Sequence, residues 1–418
     1  MTFVGMKEGV SGPLVGYLQS VLAKTGFNPG KTDCVFGRRT KDAVMRFQQK
    51  AEIFADGQID RETFLFLLPY LRGWFEYTPE ENEDLSAVAA KFSSPTALLN
   101  AANPEKTEKL TVPVFYNTVP VDVPYCHEIL EFNLQNTVKR FPFASLFSIG
   151  KSVLGKELYV LKIGNGKKEI FYNGAHHANE WITSLLLARF AEQVCAAYSS
   201  GSYLAGENIR KAVENSTLYI LPCVNPDGVD LVTGAFPPAS AVFKDAKTMS
   251  DGDDFPKDWK ANIVGVDLNL NYPAGWEEAR DYKFSLGYTD PRAFGYVGRY
   301  PLSEPESRAV AAFTEKHSFS LVLALHSQGG EIFPEYRGLS PENTAEIAEE
   351  FSRISGYEAK KTPDEMGNAG YKDWFISKFS KPGFTVEVGS GKNPLPLSQF
   401  PEIYRDVVGI LAAAPRLA

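Results

Sequence analysis

The chain contains five histidines, His127, His176, His177, His317 and His326, and three of them stand where an apolar run gives way to a turn. In open α/β sheets the ends of strands are where ligand sites form. In GAHHANEWIT, after the run EIFYNGA, His177 and Glu180 lie three residues apart just before a helical pattern. One turn can aim their nitrogen and oxygen donors at a common point, at the ~2.0–2.2 Å distances of zinc ligands. A third donor, His326, ends the run LVLALH 146 residues after Glu180. Two histidines and one glutamate with an open fourth position describe a catalytic zinc site, not a closed structural one. Each residue alone has a plainer alternative, a satisfied core histidine or a glutamate at a helix start.

Positioning such a set requires a sizeable scaffold. The chain has 418 residues, enough for two to three domains, with 44% hydrophobic and 22% charged residues, an ordinary globular composition. From about residue 115 to 418, apolar strands alternate with amphipathic helices. LYVLKI, EIFYNGA, TLYILPCV, FSLVLALH and GFTVEVG read as buried strands, and the runs after Glu180, Glu304 and Pro341 read as helices. The expected class is α/β with a largely buried mixed sheet. A formal charge of −8 disfavours nucleic acid and anionic lipid as partners. Cys34, Cys126, Cys195 and Cys223 lack CxxC spacing and are expected to be free and mostly buried. No run reaches the ~18 apolar residues of a membrane span. The start, MTFVGMKEGVSGP, shows no secretory signal pattern, which predicts a cytoplasmic protein or one whose leader has been removed.

The motifs GAHHANEWIT, LPCVNPDGV, GVDLNLNYPAGW, PLSEPESRAV, ALHSQGG, GYKDWF and FTVEVG resemble, in order, those of zinc carboxypeptidases of the carboxypeptidase A type. The resemblance covers about residues 120–410 and implies a carboxypeptidase-like mixed sheet flanked by helices. It assigns one zinc ion to His177, Glu180 and His326, with His176 as the preceding residue that is not a ligand. Asp267 matches the carboxylate behind the first histidine, which fixes the ring tautomer. Glu387 matches the catalytic glutamate. It would take a proton from the water that zinc acidifies, and later protonate the leaving amine. The family's oxyanion-stabilising arginine follows a tryptophan; here Lys260 follows Trp259, supplying charge without the planar fork. A solvated surface lysine is the alternative.

Two departures bear on substrate. Family carboxypeptidases hold the terminal carboxylate with an Asn-Arg pair, which here is Asn269 and Leu270. Without the bidentate arginine, C-terminal trimming is disfavoured. The family's mobile tyrosine falls near Asp364 and Glu365, and Tyr371 is the nearest candidate for substrate contact. The HHANEWIT stretch is similar to bacterial γ-D-glutamyl-diamino-acid endopeptidases, which cut the γ-D-Glu to diaminopimelate bond of wall stem peptides. Asp364 and Glu365 could then meet the ammonium of the diamino acid.

The N-terminal part supports that substrate. Residues 1–72 resemble a type-1 peptidoglycan-binding domain, with Leu-Gln, Gly-Phe, Phe-Gly-x-x-Thr and Asp-Gly-x-x-Asp-x-x-Thr landmarks in order and Cys34 in place of a turn glycine. Leu14, Leu18 and Leu22 mark one helical face, and Thr40, Ala43, Val44 and Phe47 another. A folding or docking bundle is the alternative. Residues 76–114 resemble a LysM module through Asp84, Leu85, Val88, Phe92, Leu98, Leu99, Asn103 and Pro104, with a structured linker as the alternative.

The resulting expectation is a zinc peptidase of peptidoglycan stem peptides, tethered by modules that could also contact glycan strands. An exopeptidase on ordinary peptides would need a replacement clamp such as Arg280, Arg292, Arg299 or Arg337. A non-catalytic wall-binding protein is the third reading, against which all three ligands and Glu387 stand. Wall-binding modules make the cell envelope the alternative location.

Overall fold

In a computed structural model, residues 3–105, 107–114, 117–250, 252–362 and 368–418 are described. Asp364 and Glu365 lie outside them. The chain divides into two compact units, Met1–Ser145 with Tyr198–Ser200, and Leu146–Ala197 with Gly201–Ala418.

The first unit begins with helices Pro13–Lys24, Arg38–Lys50 and Arg61–Arg72. Leu18, Leu22, Ala43, Val44, Phe47, Leu67 and Leu71 are buried between them, with Leu14 only partly so. The landmark residues are explained by one hydrogen-bonding device used twice. Buried Gln19 donates to Thr40 Oγ1 (3.0 Å) and accepts from Cys34 N–H (3.0 Å). Buried Gln48 donates to Thr63 Oγ1 (3.0 Å) and accepts from Gly57 N–H (2.8 Å). In both, a glutamine on one helix satisfies the turn before the next, leaving no buried amide unpaired there. Asp60 caps the third helix by accepting from Thr63 N–H at 2.7 Å.

Strand β1 (Trp74–Tyr77), helices Leu85–Phe92 and Thr96–Ala102, and strand β2 (Leu110–Pro113) follow, β1 and β2 pairing antiparallel. Their small core is Val88, Ala89, Leu99, Leu110 and Val112. Asp84 caps the first helix through Ala87 N–H, and Asn103 ties the second to β2 by donating to Thr111 O and accepting from Thr111 N–H, all at 2.8 Å. Helix His127–Arg140 also belongs to this unit.

The second unit is built on an eight-stranded sheet. Its strands are β3 (Ser145–Lys151), β4 (Glu157–Ile163), β5 (Lys168–Gly174), β8 (Ser216–Leu221), β9 (Phe319–His326), β10 (Glu331–Phe333), β11 (Glu358–Ala359) and β12 (Gly383–Glu387); β6 (Tyr203–Leu204) and β7 (Glu207–Asn208) form a separate hairpin. The order is β11-β10-β12-β9-β5-β8-β4-β3. Strands β12, β9, β5 and β8 run parallel, while β4 and β10 are antiparallel to their neighbours β8 and β12, which makes the sheet mixed. All five runs read as strands from sequence lie in this sheet, and helices Ile182–Ser200, Pro305–Glu315 and Thr344–Ser355 occupy the three predicted places.

Both faces of the sheet are covered, which is why its central strands are apolar throughout. Phe171 packs on Phe313 of one helix layer (ring centroids 5.4 Å apart). Its neighbour Tyr172 points to the other face, meeting Phe190 (5.6 Å) and donating to Leu411 O (3.0 Å). From β5 the chain runs to β8 on one side, and β9 returns to the other. The carboxyl ends of β5, β9 and β12 therefore open together onto a crevice at the point where strand order reverses.

Candidate metal centre and catalytic site

The sequence just after β5 folds sharply. Ala175 adopts φ 51, Thr183 Oγ1 accepts from Ala175 N–H (2.8 Å), and the Thr183 hydroxyl donates to Glu180 O (2.8 Å). This fold-back points both His177 and Glu180 into the crevice, and β9 delivers His326 from the adjacent strand. His177 Nδ1 lies 2.8 Å from Glu180 Oε1, His326 Nδ1 3.0 Å from Glu180 Oε2, and the two Nδ1 atoms are 3.3 Å apart. Among the described residues this trio is the group of His, Cys, Asp or Glu side chains whose donors converge within 4.8 Å.

The donor chemistry fits a zinc ion. His177 Nε2 is 3.2 Å from Asp267 Oδ1, so the carboxylate orients the ring and leaves Nδ1 for the metal. Asp267 is itself fixed, its Oδ2 accepting from Gly295 N–H at 3.2 Å. Burial opposes its ionisation, yet His177 and Lys260 hold its carboxyl well below the usual carboxylate range. Glu180 is likewise buried and kept ionised by His177 and Lys260. Two buried carboxylates held anionic beside neutralisable imidazoles are what a dication requires.

His176 is not part of the trio. It is fully buried, its Nε2 lies 3.0 Å from the Tyr272 hydroxyl, and burial with His326 and His177 nearby drives its pKa well below the ordinary histidine value. Behind it, Asn225 donates to His176 O (3.1 Å) and Ala261 O (2.9 Å) and accepts from Gly228 N–H (3.1 Å). A Cβ at Gly228 would lie 2.7 Å from Ala261 O and 2.8 Å from Ala178 Cβ, so NPDG requires its glycine for this close approach.

Glu387 ends β12 in register with His326 on β9. Burial and the neighbouring Glu180 carboxylate push its pKa up to about 8, against Lys260 and His177. Lys260 follows the fully buried Trp259, whose indole N–H donates to Asn262 O (3.1 Å). Lys260 N–H donates to Ala293 O (2.8 Å) and Lys260 O accepts from Ala178 N–H (2.9 Å), which anchors its backbone from both sides. Its ammonium sits 3.3 Å from Glu180 Oε1, with the side chain 35% exposed. Burial opposes its charge, but Glu180, Asp267 and Glu387 keep it cationic.

The remaining candidates are placed differently. Asn269 Oδ1 accepts from Tyr371 N–H at 3.1 Å, so this side chain braces the start of helix Tyr371–Phe379. Tyr371 is not presented to substrate as expected: it is fully buried in the main core, its hydroxyl 3.1 Å from Thr314 Oγ1. It lies within that helix, whose first turn packs inward. Leu270 packs against Trp276, Ala279, Val297 and Ala369, so the position of the family arginine is given to apolar contact. Arg280 is bonded to Asp281 (2.7 Å) and Arg337 reaches Glu278 (3.5 Å).

Sequence reasoning passed over three polar anchors, Asn225, Asn271 and Ser327. Asn271 donates to Val297 O (2.8 Å) and accepts from the Ser307 hydroxyl (2.6 Å), linking GVDLNLNY to PLSEPESRAV. Ser327 N–H donates to Glu180 Oε2 at 3.1 Å. The motifs containing these residues were visible; their partners, tens of residues away, were not.

Comparison with known proteins places this geometry. Residues 131–408 match the family described as zinc carboxypeptidase, and residues 11–67 match the putative peptidoglycan binding domain. The chain is 39% identical over 293 residues to gamma-D-glutamyl-L-diamino acid endopeptidase 1 of Lysinibacillus sphaericus, covering 69% of this chain and 72% of that protein. It is 38% identical over 289 residues to protein YqgT of Bacillus subtilis (strain 168), covering 69% and 76%. Among solved structures, carboxypeptidase A from Helicoverpa armigera superposes with a TM-score of 0.56 at 18% identity over 92% of this chain and 87% of that one. That likeness shows the fold.

Proposed function

The chain belongs to the zinc carboxypeptidase family, and from that premise we propose that it hydrolyses the γ-D-glutamyl to diamino-acid bond of peptidoglycan stem peptides. It is a zinc metallopeptidase of the cell wall class, carrying a peptidoglycan-binding domain. The observation that carries the catalytic reading is the trio His177, Glu180 and His326 with Glu387 in register beside His326.

In this reading His177, Glu180 and His326 hold the zinc ion, which when bound polarises the scissile carbonyl and acidifies the attacking water. Glu387 takes the water's proton on its carboxylate and later delivers it to the departing amine. Lys260 Nζ faces the charge that develops on the carbonyl oxygen, and because its backbone is anchored from both sides little reorganisation is needed. Asp267 keeps His177 oriented.

The substrate assignment rests on the 39% identical relative and on Leu270, whose apolar packing leaves no arginine clamp at that position for a peptide's terminal carboxylate. We further propose that residues 1–72 and the β-α-α-β segment 76–114 are wall-binding modules and that 115–418 carries catalysis.

The test is a mass-spectrometric digest of L-Ala-γ-D-Glu-diaminopimelate and its lysine analogue by zinc-loaded protein, with Glu387→Gln as control. Release of L-Ala-γ-D-Glu by the wild type alone supports the reading. Loss of C-terminal residues from ordinary peptides, with the stem peptides left intact, replaces it with an exopeptidase.

A further inference from the structure

The strands bearing His326 and Glu387 end at these residues. Val388 N–H donates to His326 O (2.8 Å), Gly329 N–H to Gly389 O (2.9 Å) and Gly330 N–H to Glu387 O (2.8 Å), which joins the two turns beyond the strands. Six residues after Glu387, Asn393 returns to the end of β9. Its Nδ2 donates to Ser327 O at 2.7 Å, and the Ser327 hydroxyl donates to its Oδ1 at 2.8 Å. Both ends of one amide are thus used on one residue, which fixes the orientation of each. Ser327, only 4% exposed, in turn directs its backbone N–H to Glu180 Oε2 at 3.1 Å.

We propose that Asn393 is a positioning residue for the metal site, acting through Ser327 on the carboxylate of Glu180. The argument is geometric. Ser327 directly follows the ligand His326, and the peptide N–H that meets Glu180 is part of the same turn as the carbonyl that Asn393 grips. Without the amide, the turn gains freedom just where one glutamate oxygen must be held while the other meets His177, 2.8 Å away. Partners that orient ligands in this way typically tune metal affinity by 10–100-fold. The same clamp ties the segment following Glu387 to the residue following His326, so the general base and the metal ligands share one support.

This inference rests on the proposed zinc site and not on the substrate, and its test reads the metal without substrate. Zinc dissociation constants would be measured by competition with a chelating dye for the full-length wild type, Asn393→Ala, Ser327→Ala and the double variant. Asn393→Ala is expected to lose about tenfold in zinc affinity, Ser327→Ala several-fold, and the double variant no more than Asn393→Ala, because the serine hydroxyl's partner is already gone. A merely structural clamp would lower the melting temperature of the metal-free protein and leave zinc affinity at the wild-type value, which overturns the proposal. If Asn393→Ala does not fold, Ser327→Ala decides alone: a several-fold loss supports the role, and unchanged affinity overturns it.

Discussion

Glu387 and His326 are Cα partners in the parallel pairing of β12 with β9, joined by the Val388 N–H bond to His326 O at 2.8 Å. The proposed general base and a residue of the proposed metal trio are therefore fixed relative to each other by backbone hydrogen bonds, before any side-chain contact is counted. Register in a buried sheet does not slip by one residue without inverting every side chain.

Replacing Glu387 by glutamine keeps shape and burial but removes the proton acceptor. Turnover of the stem peptide is expected to fall by roughly 10²–10⁴-fold while bound zinc stays stoichiometric. Steady-state kinetics paired with metal analysis checks this, and near-normal turnover would remove Glu387 from the mechanism.

Lys260→Met should keep an unbranched side chain of similar length and lose the charge beside Glu180. The expected effect is a drop in kcat of about 10²–10³-fold with KM little altered. A change confined to KM would make Lys260 a substrate-binding group.

Asp267→Asn leaves a neutral partner for His177 Nε2. Zinc affinity should weaken by about 10–100-fold, measured by dye competition. Equal affinity would show that the 3.2 Å contact with His177 does not matter to the metal.

Glu306 offers a pH test away from the metal. It is fully buried, accepts from Val153 N–H (3.1 Å) and Asn262 Nδ2 (3.4 Å), and burial pushes its pKa from 4.5 up to about 7. A raised folded-state pKa gives stability that is present below about pH 4.5 and lost as pH rises through 7. The contribution is on the order of 3 kcal/mol. Denaturant midpoints for wild type and Glu306→Gln between pH 5 and 8 should show the variant with the flatter profile; parallel profiles would contradict the shift.

Gly228→Ala should destabilise the catalytic unit by about 1–3 kcal/mol, since its Cβ meets the Ala261 carbonyl and Ala178. Thermal unfolding measures this directly.

The sequence by itself determined the α/β class and the five central strands, because buried strands are continuous apolar runs. It pointed to His177, Glu180 and His326 as a candidate trio by spacing at strand ends, and to Glu387 by resemblance to zinc carboxypeptidases. It also determined the helix faces of the first unit, because helical periodicity is local. The edge strand β11 and its neighbour β10, two and three residues long, left no readable pattern. Only the tertiary structure decided that Tyr371 lies in the core and not at the substrate, that Leu270 fills an apolar niche, and that Asn225, Asn271 and Asn393 bind chain segments 26 to 66 residues distant. The physical reason is range. Periodicity and turn chemistry are set by neighbours within a few residues, whereas an amide's partner or a tyrosine's burial is set by which distant segments the sheet brings alongside it.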